Sequence, residues 1–282
     1  MRVRSLELRT TLMVNALYGL TEDRGNYIVV RTPSVPDYWY GNCLAMPGPP
    51  RPGDLARWEE LFAREHPGAA HRVFLMDAPE APPEGEAARV GLAEFAAAGY
   101  ELSTHDVLAT DAIVEPPRLN GAFSYRPLAM EREWAAAVEA SWRVNEGRPG
   151  FTRGFIERKF AVIRAVVERG RGAWWAAWAD SFPGDDGSPG DDGLPVASMG
   201  LFWGDGLVRF QDVETDPAYR RRGICRSLLY RACLSVGDAG GGKPPLFVIK
   251  PEDDSVRRIY EAVGFRRVES SADLFKEEVG RK

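Results

Sequence analysis

Two short segments far apart in the chain carry one pattern. Ala93–Tyr100 (AEFAAAGY) and Arg258–Phe265 (RIYEAVGF) both read aromatic, three residues, glycine, aromatic. Each follows an apolar run and precedes a further strand-like run. Recurrence of a helix ending between two strands points to two copies of one supersecondary unit. A chain of 282 residues, 44% hydrophobic, is long enough to fill two modest cores.

The runs between these landmarks alternate in period. In the first half, NYIVVRT (Asn26–Thr32) has the β-branched content of a buried strand, and PSVPDYWYGNCLAMPGPPRPG holds too many prolines for a helix. Asp54 is placed to cap LARWEELFAREH, where Leu55, Trp58, Leu61 and Phe62 share a face. RVFLMD reads as a strand, GLAEFAAAGY as a helix, and ELSTHDVLA as a closing strand. Ile113–Gly121 (IVEPPRLNG) has the composition of a linker. This predicts domains over 1–115 and 121–282.

The second half reads as strand FSYRPL, helices EREWAAAVEASWRVN and TRGFIERKFAVIRAVVERG, and strand AWWAAWAD. The hairpin VASMGLFW and LVRFQDVET follows, turning at Gly204, Asp205 and Gly206. A helix from Gly223 with Ile224, Leu228, Leu229, Ala232 and Val236 inward, strand PLFVIK, helix SVRRIYEAVGF and strand RRVESSADLF complete it. The class is α/β (α+β). Trp174, Trp175 and Trp178 are expected to pack a core, since no basic residues interleave them as in a base-stacking platform.

Composition excludes several functions. A net charge of −5 argues against sequence-independent nucleic-acid binding. No run reaches the roughly 20 apolar residues of a membrane span. The N-terminal MRVRSLELRTTLMVNALYG alternates arginine with apolar residues, unlike a signal peptide. Three scattered cysteines (Cys43, Cys225, Cys233) fit a reducing cytoplasm. With His66, His71 and His105 they form no metal-binding spacing, and His66 with His71 reads as surface polarity. No metal is expected. The doubled PGDDG of Pro183–Gly193 lacks the glutamate of a calcium loop and reads as a hairpin tip.

The most charged turn is YRRRGICRSLLY, Tyr219–Tyr230. Arginines at a helix N-terminus oppose its dipole, at a few tenths to about 1 kcal/mol each. Two readings fit: a solvated basic turn, or a cradle in which outward amides and Gly223 receive an anion, typically a pyrophosphate. No GxxxxGK[ST] string occurs, and one glycine is too few for a dinucleotide GxGxxG fingerprint.

VETDPAYRRRGICRSLL resembles the acyl-CoA motif of the GNAT superfamily, V-x-V-x-P-x-x-[QR]-x-x-G-x-[GA], which joins a splayed strand to a helix. Arg220 fills the [QR] position and Gly223 the glycine, while Cys225 stands where Gly or Ala is usual. DDSVRRIYEAVGF resembles the family helix N-x-x-A-x-x-x-Y-x-x-x-G-F, with Asp253 in place of Asn. The resemblance covers about Phe123–Phe275, and the first half only remotely. It implies two tandem GNAT-like domains, each a mixed, mostly antiparallel sheet flanked by helices, and acetyl-CoA as co-substrate. Val213, Glu214 and Thr215 would meet the pantetheine arm. Arg220 and the amides of Arg221, Arg222, Gly223, Ile224, Cys225 and Arg226 would hold the pyrophosphate, with Asp253 nearby. Tyr260 would protonate the departing thiolate; its other reading is a core aromatic with a satisfied hydroxyl.

An attacking amine must lose a proton, so a carboxylate is wanted. Strand alternation puts Asp212 and Glu214 on one face and Val213 on the other. Glu214 is the candidate base; a carboxylate paired with an arginine is its other reading. Cys225 and Cys233 have no histidine partner and are not expected to act as nucleophiles. In the first half, Phe95 replaces Tyr260, and PPRPG lacks cradle amides. That half is expected to have degenerated, with PDYWYGN (Pro36–Asn42) facing either the acceptor cleft or an aromatic contact. The whole reads as a cytoplasmic N-acetyltransferase acting on a small-molecule or peptide amine. The alternative is a non-catalytic CoA-binding regulator; a nucleotide-binding domain is a third option.

Overall fold

The computed structural model describes residues 1–80, 83–179, 193–237 and 244–277. All of Pro183–Gly193 except Gly193 lies outside them. The chain opens with α1 (Leu6–Tyr18), β1 (Leu20–Asp23), β2 (Ile28–Arg31), β3 (Cys43–Met46), α2 (Asp54–Glu65), β4 (His71–Met76), α3 (Glu86–Ala97) and β5 (Glu101–Thr110). It continues with β6 (Phe123–Pro127), α4 (Glu131–Asn145), α5 (Arg153–Glu168), β7 (Gly172–Ala179), β8 (Pro195–Gly204) and β9 (Leu207–Thr215). Helix α6 (Ile224–Gly237), β10 (Leu246–Ile249), α7 (Asp254–Glu261) and β11 (Arg266–Glu277) end it. Among the described residues no helix is long and apolar enough to cross a membrane.

The backbone packs as two compact units: Met1–Val107 with the chain from Arg267 onward, and Leu108–Arg266. Unit 1 orders its strands β1-β2-β3-β4-β11-β5, with β3 and β4 parallel. Unit 2 orders them β5-β10-β9-β8-β7-β6, with β9 and β10 parallel. The two copies trade their last strands. β11 follows α7 yet pairs with β4, and the end of β5 follows α3 yet pairs with β10. Boundaries at 115 and 121 follow the chain; the compact units do not.

Local chemistry accounts for the elements. Helix α1, which the sequence pattern did not announce, is capped by Ser5, whose hydroxyl accepts from the Leu8 amide at 3.2 Å. The Glu269 carboxylate accepts from the amides of Leu6 and Glu7 at 3.0 and 2.7 Å, placing an anion at the positive helix end. In α2, Trp58 and Phe62 are buried as their spacing predicts, with Leu55 and Leu61 beside them. The cap differs: Gly53 takes the cap position and Asp54 is the first helical residue. Phe74, Phe95 and Tyr100 complete an aromatic cluster around these rings.

His66 and His71 are buried, not surface polarity. His71 Nε2 lies 2.8 Å from the Asn42 carbonyl, and His66 Nε2 lies 3.3 Å from that of Cys43. Burial pushes the His66 imidazole down to about 4, so it is neutral at ordinary pH.

Unit 2 buries Ile224, Leu228, Leu229 and Ala232 of α6 against Phe210, Phe247, Tyr260 and Phe265. Trp174, Trp175 and Trp178 are core side chains. The internal repeat is visible in the backbone. The Tyr100 amide donates to the Phe95 carbonyl at 3.0 Å, and the Phe265 amide to the Tyr260 carbonyl at 3.3 Å. Gly99 and Gly264 supply the left-handed residue of these helix ends, at φ 85° and 100°.

Candidate active site

The site grows from an irregularity in β9. The β8–β9 hairpin turns at Asp205 and Gly206 and runs in register to Gly200 opposite Gln211. Ser198 then faces Glu214, so Asp212 and Val213 together oppose Met199. This is a β-bulge, and Asp212 adopts φ 48°, a conformation the short acidic side chain tolerates. The bulge overturns the simple alternation expected of Asp212, Val213 and Glu214. It also coincides with a splay, because β10 accompanies β9 only as far as Arg209.

Beyond Thr215 the chain makes a 3-10 turn, Pro217–Tyr219, capped by Asp216, whose carboxylate accepts from the Ala218 amide at 2.9 Å. Arg221 and Gly223 both take positive φ, 63° and 74°, before α6 begins. At Gly223 a side chain would be strained by that φ even though the space around it is open. Among the described residues the backbone amides of Arg221, Arg222, Gly223, Ile224, Cys225 and Arg226 donate to no protein acceptor. This run of N–H groups at a helix N-terminus is the donor set an anion needs.

Side chains brace the turn from behind. Arg220 Nε donates to the Thr215 carbonyl at 3.2 Å, and an Arg222 nitrogen to that of Ala218 at 3.1 Å. Asn120, from the linker, donates to the Arg222 carbonyl and receives nothing from the cradle amides; its own amide binds Ser227 Oγ, both at 2.8 Å. Arg226 donates to the Arg118 carbonyl at 2.9 Å. Arg220, Arg221 and Arg222 are exposed. The fit to a pyrophosphate therefore lies in bare amides plus exposed cations around an open glycine.

Tyr260 is 2% exposed and packs near Phe265, yet no protein group among the described residues hydrogen-bonds its hydroxyl. Burial holds its phenol well above the ordinary value, and Cys225, Glu252 and Asp253 add to the rise. Tyr260 belongs to the same buried cluster as Ile224, and Cys225, in the first turn of α6, packs against that cluster. Burial also pushes the Cys225 thiol up to about 12 and the Cys233 thiol higher still, which removes both as nucleophiles at neutral pH. Asp253 caps α7: its Oδ1 accepts from the amides of Ser255 and Val256 at 2.7 and 2.9 Å.

Glu214 stands on β9 just past the bulge. Its partner is not an arginine but Asn145, whose Nδ2 donates to Oε1 at 2.7 Å. Partial burial, and then the negative charge of Asp212, push the Glu214 carboxyl up to about 7. Hydrogen bonds from Asn145 and Ser141 and the Lys159 ammonium oppose the rise. Lys159 in turn pairs with Asp212 at 2.8 Å. A carboxylate poised near neutrality beside a splayed strand can exchange a proton with a bound amine. Sequence reasoning missed Asn145, Arg148, Lys159 and Asn120, because none lies in a motif. Among the described residues no group of three or more His, Cys, Asp or Glu side chains could hold a metal ion.

In unit 1, the Tyr40 hydroxyl donates to Asp273 Oδ2 at 2.9 Å, and Trp39 stacks on His71 with ring centroids 5.6 Å apart. PDYWYGN thus makes aromatic and buried polar contacts within its own unit.

No family model matches the chain, and no curated protein does. Solved structures do match. A GCN5-related N-acetyltransferase from Kribbella flavida is 18% identical at TM-score 0.60, with 96% of each chain covered. A conserved protein of unknown function from Staphylococcus epidermidis superposes at TM-score 0.66 with 12% identity, covering 93% of this chain and 96% of that one. A tandem GNAT protein from the clavulanic acid biosynthesis pathway gives 0.51 with 14% identity over 81% of this chain and 70% of its own. This chain has the GNAT fold, shared with GCN5-related N-acetyltransferases and with at least one tandem GNAT protein.

Proposed function

We propose that unit 2 transfers an acyl group, acetyl in the simplest case, from acyl-CoA to an amine by direct attack. The observation that carries this reading is the unbroken run of uncommitted amides from Arg221 to Arg226 at the start of α6. A pyrophosphate of CoA would rest on them, with the cations of Arg220, Arg221 and Arg222 close by. The free edge of β9 at Val213, Glu214 and Thr215 would align the pantetheine arm. Acyl-CoA brings a thioester that an amine can attack and a thiolate that must be protonated on leaving.

Glu214 removes the proton from the acceptor nitrogen, and its position near neutrality lets it do so without a metal or histidine. Tyr260 holds its phenolic proton through the whole neutral range, as a donor to a leaving thiolate must. The acceptor is a small-molecule or peptide amine.

Thiol release from acetyl-CoA over a panel of amines tests the proposal. Turnover with at least one amine class, lost in Gly223→Val, supports it. Tight CoA binding with no turnover would instead identify a regulatory protein that keeps the cradle, and absence of CoA binding would remove both.

A further inference from the structure

We infer that Asn145 and Arg148 are positioning residues that hold the Glu214 carboxylate through a fixed donor at Oε1. The inference rests on the role given to Glu214 above and names the machinery that holds it. Asn145 is the last residue of α4 and is 1% exposed. Its Nδ2 donates to the Ser141 carbonyl at 2.9 Å and to Glu214 Oε1 at 2.7 Å, while its Oδ1 accepts from an Arg148 nitrogen at 2.9 Å.

A primary amide offers acceptors at one end and donors at the other, and the two ends are told apart by their partners. Here the partners leave no freedom. A backbone carbonyl only accepts and a guanidinium only donates, so turning the amide over would set oxygen against oxygen and N–H against N–H. Arg148 therefore commits the Asn145 NH2 to Glu214. Arg148 is itself held, although exposed: its amide donates to the Asn145 carbonyl at 3.0 Å and its guanidinium lies 5.1 Å from the Phe151 ring centre.

The consequence falls on the carboxyl group. Oε1 accepts a hydrogen bond from a donor that cannot invert, which favours the charged carboxylate and opposes the upward push of burial. The Ser141 hydroxyl is a second hydrogen-bond partner of the carboxylate, and it too opposes the rise. The charged and polar groups acting on Glu214 are Asp212 on β9, Lys159 on α5 paired to Asp212, and Asn145 and Ser141 on α4, with Ser198 opposite it in the β8 ladder.

The test is a ¹³C-carboxyl NMR titration of the free protein with labelled glutamate, the Glu214 signal assigned by Glu214→Gln. Wild-type Glu214 should titrate near pH 7. Asn145→Ala removes a hydrogen bond to the charged form and should raise the midpoint by about one unit, a tenfold loss of base on the acid side. Arg148→Met should raise it by a smaller amount, and Arg148→Gln, a neutral donor, should restore the wild-type midpoint. Should Asn145→Ala fail to fold, the exposed Arg148 pair decides alone. An unmoved midpoint in Arg148→Met, or equal shifts in Met and Gln variants, would overturn the inference, the latter because charge alone would then be at work.

Activity separates this from the acyl-transfer proposal. The acid limb of kcat/KM should follow the NMR midpoints with KM for acetyl-CoA unchanged. Turnover accompanied by unmoved midpoints rejects the positioning role only; shifted midpoints in a wild type that acylates nothing support the positioning and reject the transfer.

Discussion

In unit 2 the amides that open α6, from Arg221 to Arg226, donate to no acceptor among the described residues, whereas in unit 1 the matching start of α2 is filled by the protein's own carboxylates. There the Arg51 amide donates to Asp54 Oδ2 at 2.8 Å and the Gly53 amide to Glu94 Oε2 at 2.9 Å. Pro49, Pro50 and Pro52 have no amide to offer. The surroundings are alike, since each helix joins two parallel strands, β3 to β4 and β9 to β10. Capacity for an anion thus depends on a few turn residues and not on the architecture. Keeping the unit 2 amides open costs little while water reaches them; burial without partners would cost about 1–3 kcal/mol apiece.

The sharpest way to break this contrast is at the chemistry. Glu214→Gln should lower kcat by about 10²- to 10⁴-fold and abolish the acid limb near pH 7 in kcat/KM. The same variant carries a stability signature. Glu214 has a folded value raised from 4.5 to about 7, so its favourable contribution is complete below 4.5 and is lost as pH rises through 7. Glu214→Gln should therefore gain stability over wild type above pH 7, by up to about 3 kcal/mol in denaturant titrations. A wild type equally stable at pH 5 and 8 relative to this variant would contradict the assignment.

Next in size is Gly223→Val, which forces a β-branched residue to φ 74° and should weaken acetyl-CoA binding about ten- to a hundredfold by calorimetry. Tyr260→Phe should reduce turnover by about tenfold or more and leave that affinity unchanged. The smallest effect sharpens the comparison from the other side. Glu94→Ala frees the Gly53 amide, yet calorimetry should still find one acetyl-CoA per chain, because the prolines leave too few donors; two would show that the unit 1 turn is only masked.

Much of this was legible in the residues. Apolar spacing located Trp58 and Phe62 on α2 and Ile224, Leu228 and Leu229 on α6, because burial of one face imposes the period. Helix α1 was hidden because Thr10 and Asn15 are polar yet buried, which blurs that period. The bulge at Asp212 was invisible, since a single residue in a left-handed conformation leaves no repeating trace. The Glu214 contact with Asn145 joins residues 69 positions apart, beyond the reach of any local spacing. The strand exchange escaped for a different reason: β5 and β11 have the same local pattern whichever sheet they complete.

That exchange governs how the molecule can be made. Unit 1 lacks an internal strand until residues of β11 emerge from the ribosome, after all of unit 2's sequence has been synthesised. The first half must therefore wait, with the edge of β4 unpaired, for a partner that is translated last. Severing the chain between Ile113 and Gly121 would leave each piece without the strand it needs, so the halves are inseparable in biogenesis even though only one of them opens its helix with unfilled amides.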